Sequence, residues 1–148
     1  MVFTHNSKHL KTNNSILLVI LFVNGLLLPG TTDAAQIMAG AAKVDITDER
    51  GPVNDRLYVR ALVLKSGNIT VALVSIDAVA IGGIGRIKND FLPNVRAILK
   101  KEFGIAPAHT LFNASHCHGL VHPEIETRTV QAVRQAVKNL LPVKAGAG

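Results

Sequence analysis

Tryptophan is absent from this sequence of 148 residues, and aromatic residues make up only 4% of it. Hydrophobic residues nevertheless account for 48%. Any core must therefore consist mainly of valine, isoleucine, leucine and alanine. The length fits one domain rather than two, and the sequence shows neither an internal repeat nor a low-complexity segment.

Long basic runs are also missing. The formal net charge is +6, but no five consecutive residues are all basic, and aromatic residues do not alternate with the basic ones. Proteins that bind nucleic acids usually concentrate basic side chains on one surface. The composition therefore favours a solvated basic surface, and we expect no nucleic-acid partner.

Residues 1–35 have the pattern of an export signal. Two lysines precede an apolar segment at 15–28, a Pro-Gly pair breaks that segment, and small residues follow. Cleavage after Ala34 is favoured over cleavage after Ala35, which would leave an aspartate at the −3 position. A bilayer span needs about 20 apolar residues, so a retained membrane anchor is the less favoured alternative. Residues 36–148 then form the exported domain, periplasmic or secreted.

Hydrophobic periodicity beyond the signal predicts an α/β fold. The pattern predicts strands at 37–46, 57–64, 69–76 and 108–114, and helices at 86–103 and 124–140. The second and third strands form a β-hairpin, and the first helix links the third and fourth strands in a right-handed parallel crossover. We therefore expect a mixed sheet with two main helices, preceded by an apolar signal helix. Pro93 should end or kink the first helix, or mark the start of its second half, and residues 143–148 could begin a further strand.

Residues 113–119, Asn-Ala-Ser-His-Cys-His-Gly, hold the pair His116 and His118. If the preceding strand continues through them, both imidazoles point to one face of the sheet. There they can converge on one metal ion or one substrate, at the strand ends where α/β folds bind ligands. Histidines that merely end a strand are the alternative. A catalytic zinc takes three protein ligands, so the pair would need a further ligand.

Cys117 lies between these histidines and is the only cysteine, which excludes an internal disulfide. A nucleophilic thiol is one hypothesis, but strand alternation turns its side chain away from both imidazoles. His109 opens the last strand at its far end and is predicted to be structural or exposed. His122, in the loop that follows the pair, is a less favoured candidate for a third ligand.

Asp77 ends the central strand, where an unpaired buried carboxylate would be costly. Its carboxylate either orients a metal-binding imidazole by a hydrogen bond to the other ring nitrogen or caps the loop that follows. That loop, at residues 81–85, is rich in glycine but matches neither nucleotide-binding spacing, so close chain packing is favoured. Parallel pairing should bring Asp77, this loop and the histidine pair to one edge of the sheet. Asp48 and Glu49 are predicted to be a solvated cluster rather than functional acids.

Four blocks of sequence lie, in this order, at residues 39–47, 56–64, 71–77 and 113–119 and read AGAAKVDIT, RLYVRALVL, VALVSID and NASHCHG. Together they resemble the neutral/alkaline non-lysosomal ceramidase family at the start of its amino-terminal catalytic domain. The resemblance implies an exported or membrane-associated zinc amidase that splits ceramide into a fatty acid and sphingosine. It therefore implies one Zn²⁺, a ceramide-like lipid substrate and contact with a membrane surface.

The resemblance also implies roles for the histidine pair. His116 would be a zinc ligand, and His118 would lie beside the zinc, where it contacts substrate or helps polarise the scissile amide. The family's other zinc ligands (a second His, a Glu and a Tyr) and its nucleophile-like serine follow this portion of the family sequence. The chain departs from the family pattern after His118, where Gly-Leu-Val replaces Ser-Gly-Pro, and at residues 47–56, which are shorter than the family's pocket segment.

Two hypotheses follow from the residues and the resemblance. The first is a zinc-dependent amidohydrolase of the neutral ceramidase type, present as a partial domain. The second is a non-catalytic exported domain with a residual His-pair metal site, which the short pocket segment and the missing ligands favour over full activity. The sequence does not indicate an oligomeric state.

Overall fold

The structure is a computed structural model that describes residues 36–146. It has a mixed α/β fold, which confirms the predicted fold class. The strands are β1 (Ile37–Asp45), β2 (Tyr58–Ser66), β3 (Ile69–Ile76), β4 (Thr110–Ala114) and β5 (Leu141–Pro142), and the helices are α1 (Phe91–Phe103) and α2 (Ile125–Lys138). No helix in this part of the chain is both long and apolar enough to cross a bilayer. The predicted export signal lies outside the described residues.

A five-stranded sheet in the order β4-β3-β2-β1-β5 organises the fold. β1, β2 and β3 pair antiparallel, and Gly67 and Asn68 close the β2–β3 hairpin. Gly67 has a φ of 54°, which glycine adopts without steric cost in a two-residue turn. β4 pairs parallel to β3 after α1, which confirms the predicted crossover. The carboxyl ends of β3 and β4 therefore meet at one edge of the sheet.

Both helices pack on one face of the sheet, and the core lies between the helices and that face. The largest fully buried apolar side chains are Phe91, Ile46, Ile76, Ile87, Leu99, Ile105, Val59, Val63, Val74, Val95 and Val133. α2 approaches β1 most closely at Gly40, where an added Cβ would lie 2.1 Å from the carbonyl oxygen of Ala136. A larger residue could not occupy this position without displacing the helix.

The opposite face of the sheet is exposed in the described part of the chain. Its central row takes one apolar residue from each of four strands: Ala41, Leu62, Leu73 and Leu111. Leu111 is 54% exposed. The next row toward the carboxyl ends of β3 and β4 is polar: Lys43, Arg60, Ser75 and Asn113. This face therefore changes from apolar to polar as it approaches the edge where residues 115–119, which we call the histidine loop, leave the sheet.

Several element ends differ from the prediction. α1 begins at Phe91 rather than at residue 86, and bends and turns precede it. Pro93 therefore lies in the first helical turn, where its missing N–H costs no helical hydrogen bond, and it neither ends nor kinks the helix. The last strand is Leu141–Pro142, which pairs with β1, and residues 143–146 form no strand.

Candidate functional site

His116 and His118 lie in the loop that leaves β4. β4 ends at Ala114, so the prediction that both histidines continue the strand and share a face by alternation is wrong. The chain turns at His116, whose φ of 60° is in the left-handed region. The two imidazoles are nevertheless adjacent, with ring centroids 5.0 Å apart and planes at 86°. Both residues are exposed, so the pair is open to a ligand.

His116 is held in one tautomer. Its Nδ1 lies 2.9 Å from the carbonyl oxygen of Val79. A carbonyl oxygen only accepts hydrogen bonds, so in the neutral ring Nδ1 carries the proton and Nε2 presents its lone pair. Histidines that bind metals are commonly oriented in this way through the other ring nitrogen. The geometry therefore prepares Nε2 of His116 to bind a metal ion or to accept a proton.

Backbone hydrogen bonds extend the pairing of β3 and β4 beyond the strand ends. The N–H of Ser115 donates to the carbonyl of Ile76 at 3.0 Å, and the N–H of Cys117 donates to the carbonyl of Ala78 at 3.1 Å. These bonds fix the histidine loop against the start of residues 77–90, which we call the glycine loop. The loop predicted at residues 81–85 also reaches this edge, since Ile84 and Gly85 border the same cavity as His118, so it meets the histidine pair as predicted.

The carboxylate of Asp77 lies at the same edge but contacts no imidazole in the described part of the chain. Arg60 donates to both of its oxygens at 2.8 Å, the N–H of Tyr58 donates at 2.9 Å, and the hydroxyl of Ser115 donates at 3.1 Å. Burial acts to raise the pKa of Asp77, but these hydrogen bonds together outweigh it and lower the pKa. Asp77 therefore ties β2 to the exit of β4 and does not orient the ring of His116 directly.

His118 borders two cavities. The larger has a volume of about 530 Å³ and is lined on its apolar side by Val53, Leu57 and Leu120. The smaller, about 200 Å³, lies on the side of the glycine loop and includes Ile84. His118 therefore borders a cavity on each side of the histidine loop. The two cavities could together hold a ligand with two chains.

Cys117 is half-buried and packs against the core. It also contributes to the wall of the larger cavity beside His118. Cys117 and His118 thus border the same cavity, and the strand alternation from which we predicted that the thiol faces away from both imidazoles ends at Ala114.

His122 belongs to a different cluster. Its Nδ1 accepts a hydrogen bond from the N–H of Glu124 at 3.1 Å, and its Nε2 lies 3.1 Å from the guanidinium of Arg128. Both ring nitrogens therefore face hydrogen-bond donors. Within residues 36–146, no three His, Cys, Asp or Glu side chains are arranged to hold a metal ion. The structure therefore does not bring His122 to the pair as a third ligand. His109 is exposed in the 3₁₀ turn before β4, as predicted.

Asp48 is only 2% exposed, so the prediction that it belongs to a solvated cluster is wrong. Arg50 donates to its carboxylate at 2.9 and 2.8 Å, and Arg86 donates at 2.7 Å. The hydrogen bonds from Arg50, with the charge of Arg86 adding to them, hold the pKa of Asp48 well below its usual range, although burial opposes the shift. Glu49 is exposed and pairs with Arg56. Sequence reasoning missed Asp48 because Arg86 lies 38 residues away.

The separation of the two imidazole rings can be compared with that of two imidazoles bound to one zinc ion. With Zn–N distances of about 2.0–2.1 Å, two imidazoles at a tetrahedral angle have ring centres about 5 Å apart. The rings of His116 and His118 have this separation. A catalytic zinc takes three protein ligands, and the described residues add no third His, Cys, Asp or Glu. The pair can therefore supply two ligands, or one ligand and a neighbouring hydrogen-bond donor.

Comparison with solved structures identifies relatives of the fold. The chain matches the neutral ceramidase from Pseudomonas aeruginosa with a TM-score of 0.60 and 20% sequence identity, over 74% of this chain and 23% of that one. A ceramidase complexed with C2 matches with a TM-score of 0.58 and 20% identity, over 73% and 22% of the two chains. The chain thus spans less than a quarter of the length of either. No protein-family model and no curated protein matches the sequence. The described domain has a ceramidase-like fold.

Proposed function

We propose that this chain is a ceramidase-like domain that binds zinc through His116 and hydrolyses the amide bond of an N-acylated sphingoid lipid. One observation carries the proposal. The carbonyl of Val79 fixes the tautomer of His116, so that Nε2 is available beside a second exposed imidazole at the carboxyl edge of the sheet. The similarity of the fold to neutral ceramidase supports the choice of substrate class.

The residues at this edge have distinct tasks in the proposed reaction. A bound zinc ion would activate water and stabilise the oxyanion. His116 supplies a ligand whose ring cannot turn without losing the hydrogen bond to Val79. His118, exposed and adjacent, is placed to donate a hydrogen bond to the carbonyl oxygen of the scissile amide or to its leaving nitrogen.

The surroundings of His118 suit a lipid amide. Apolar side chains line the larger cavity next to its imidazole. Val53 is 42% exposed and Ile84 is 64% exposed, and each borders one of the two cavities. Large aliphatic side chains at the rim of a cavity favour an apolar ligand or contact with a membrane surface. We therefore propose a ceramide-like lipid as the substrate, taken from a membrane surface.

Zinc binding tests the metal part of the proposal. Calorimetric titration of the purified, metal-stripped chain should show one Zn²⁺ bound, and His116→Ala should weaken binding at least about tenfold. His109→Ala is the matched control, since His109 is exposed in the 3₁₀ turn at the other end of β4. Equal zinc affinity in His116→Ala and the parent chain would overturn the assignment of His116.

Fatty-acid release from an N-acyl sphingosine in mixed micelles tests the catalytic part. We expect slow, zinc-dependent hydrolysis, because the described residues supply at most two of the three ligands that a catalytic zinc takes. His118→Ala should lower the rate about 100-fold, and its effect on zinc affinity would show whether His118 is also a ligand. A parent chain that binds zinc and releases no fatty acid would reject the catalytic role.

A non-catalytic exported domain with a two-histidine metal site is the second candidate function. The observation that favours it is the lack of a third metal-ligating side chain beside the pair within residues 36–146. This candidate predicts zinc binding with a dissociation constant above about 1 μM and no hydrolysis of any lipid amide. The two experiments above therefore distinguish the candidates.

We further propose that residues 1–35 contain an export signal that is cleaved after Ala34. The support is compositional, from the two lysines, the apolar segment and the small residues that follow it. The intact mass of protein recovered after expression of the full chain should correspond to cleavage after Ala34. Recovery of the uncleaved chain in the membrane fraction would favour the anchor instead.

A further inference from the structure

One ion pair joins the glycine loop to the segment that follows β1. Nη1 of Arg86 lies 2.7 Å from Oδ2 of Asp48. Asp48 is buried, whereas Arg86 reaches it from a partly exposed position. In the described part of the chain, this is the side-chain hydrogen bond that connects residues 46–57 with the glycine loop. The ion pair therefore connects the later part of the glycine loop with residues 46–57, whereas hydrogen bonds to residues 77–79 hold the start of the loop.

Asp48 is a fixed anchor for that ion pair. Its N–H donates to the carbonyl of Leu120 at 2.9 Å, and the N–H of His122 donates to the carbonyl of Ile46 at 2.8 Å. These bonds hold residues 46–48 antiparallel to residues 120–122. The second of these segments begins two residues after His118. The carboxylate of Asp48 is thus attached to the same framework that carries the histidine loop.

Ile87, next to Arg86, is buried in the core, whereas residues 83–85 of the glycine loop are exposed. Gly83 and Gly85 have φ values of 75° and 74°, and a Cβ added at Gly83 would meet nothing within 4 Å. Gly85 is different, because a Cβ added there would lie 3.1 Å from Cγ1 of Val79. The residue next to Arg86 therefore packs against Val79, whose carbonyl binds Nδ1 of His116.

We propose that the ion pair between Asp48 and Arg86 positions His116. The pair holds Gly85 against Val79, and this packing keeps the Val79 carbonyl in line with Nδ1 of His116. Asp48 and Arg86 are positioning residues, since neither touches the imidazole. The inference rests on the proposed function only where zinc affinity is concerned, because the tautomer of His116 is a property of the metal-free chain.

Arg50 offers a matched control. It donates to the same carboxylate as Arg86 but belongs to the same segment as Asp48. Arg50→Gln and Arg86→Gln each remove one guanidinium from Asp48, and only Arg86→Gln releases the glycine loop. The tautomer of His116 is read from the nitrogen chemical shifts of the imidazole in the metal-free full chain at about pH 8.5. Zinc affinity is measured separately by calorimetry.

We expect the Nδ1–H tautomer to dominate in the parent chain and in Arg50→Gln. Arg86→Gln should show a mixture with the Nε2–H form and a zinc affinity lower by about tenfold. Arg86→Lys keeps the charge and should restore the parent tautomer. If Arg86→Gln does not fold, Asp48→Asn weakens the same ion pair and decides in its place.

Three results would overturn the proposal: an unchanged tautomer in Arg86→Gln, an equal change in Arg50→Gln, or a Lys variant as disturbed as the Gln variant. The proposed zinc site can fail separately. A parent chain that binds no zinc, together with a tautomer that shifts only in Arg86→Gln, would support the positioning role and reject the zinc assignment.

Discussion

Nδ1 of His116 lies 2.9 Å from the carbonyl oxygen of Val79, 37 residues earlier in the chain. The parallel pairing of β3 with β4 makes this contact, because both strands leave the sheet at the same edge. Each partner lies two or three residues beyond its strand end. The orientation of the imidazole is therefore a product of the crossover, and a His-x-His motif on an isolated loop would not have it.

The positive φ of His116 predicts a specific order of stability among its variants. A residue with a Cβ in the left-handed region lowers the free energy of unfolding by about 1–2 kcal/mol, and glycine avoids that loss. His116→Gly should therefore be more stable than His116→Ala by about 1 kcal/mol, although both lose the imidazole. Urea unfolding measures the difference. The same two substitutions at His118, whose φ is negative, should give the opposite order. An alanine variant at position 116 that matches the glycine variant would contradict the assigned conformation.

Asp77 predicts a pH dependence of stability. Hydrogen bonds lower its pKa in the folded state despite burial, so ionised Asp77 stabilises the fold above the ordinary aspartate pKa of about 3.9. This contribution is lost as the pH falls from that value through the lowered folded-state pKa. Asp77→Asn should therefore be less stable than the parent at about pH 7, and the gap should narrow toward about pH 3. Asp55→Asn, at an exposed position, should follow the parent throughout. If the difference in unfolding free energy between the parent and Asp77→Asn stayed constant with pH, the ionisation of Asp77 would not contribute to stability.

The strands could be predicted because one face of the sheet is buried and the other is exposed. Alternation of buried and exposed positions along β2 follows directly from that difference, whereas the near-continuous apolarity of β3 does not, because only one face of β3 is fully buried. The start of α1 could not be predicted from periodicity. Arg86 and Ile87 continue the helical spacing, but Arg86 pairs with Asp48 and Ile87 is buried in the core from a turn. Tertiary contacts therefore override a local preference at this point.

The sequence locates the histidine pair but not the groups that orient it. A backbone carbonyl such as that of Val79 has no sequence signature. The buried carboxylate of Asp48 and the partly buried carboxylate of Asp77 could each pair with many of the 16 lysines and arginines, and only the fold selects Arg86 and Arg60. The candidate ligands were accessible to sequence reasoning, while the polar network that positions them was not.

Gly40 predicts a large cost for a single added methyl group. A Cβ at this position would lie 2.1 Å from the carbonyl oxygen of Ala136 and 2.8 Å from backbone atoms of Asn139 and Leu140. Backbone cannot move aside as a side chain can, so Gly40→Ala should cost about 3 kcal/mol or more in unfolding free energy. Gly51→Ala is the control, because its Cβ would meet only the side chain of Leu120 at 3.1 Å. Similar melting temperatures for the two variants would show that α2 does not lie this close to β1.

Cys117 predicts a separation of stability from metal binding. Its side chain packs against the core, and no three-residue metal cluster includes it within residues 36–146. Cys117→Ala should therefore lower the free energy of unfolding by about 1 kcal/mol. Its zinc affinity should stay within about twofold of the parent. Removing a metal ligand or a residue that supports one should instead lower zinc affinity about tenfold. Calorimetric titration beside His116→Ala gives the comparison. A loss of zinc binding as large as in His116→Ala would make the thiol a ligand, and loss of hydrolysis with zinc retained would revive the nucleophile hypothesis.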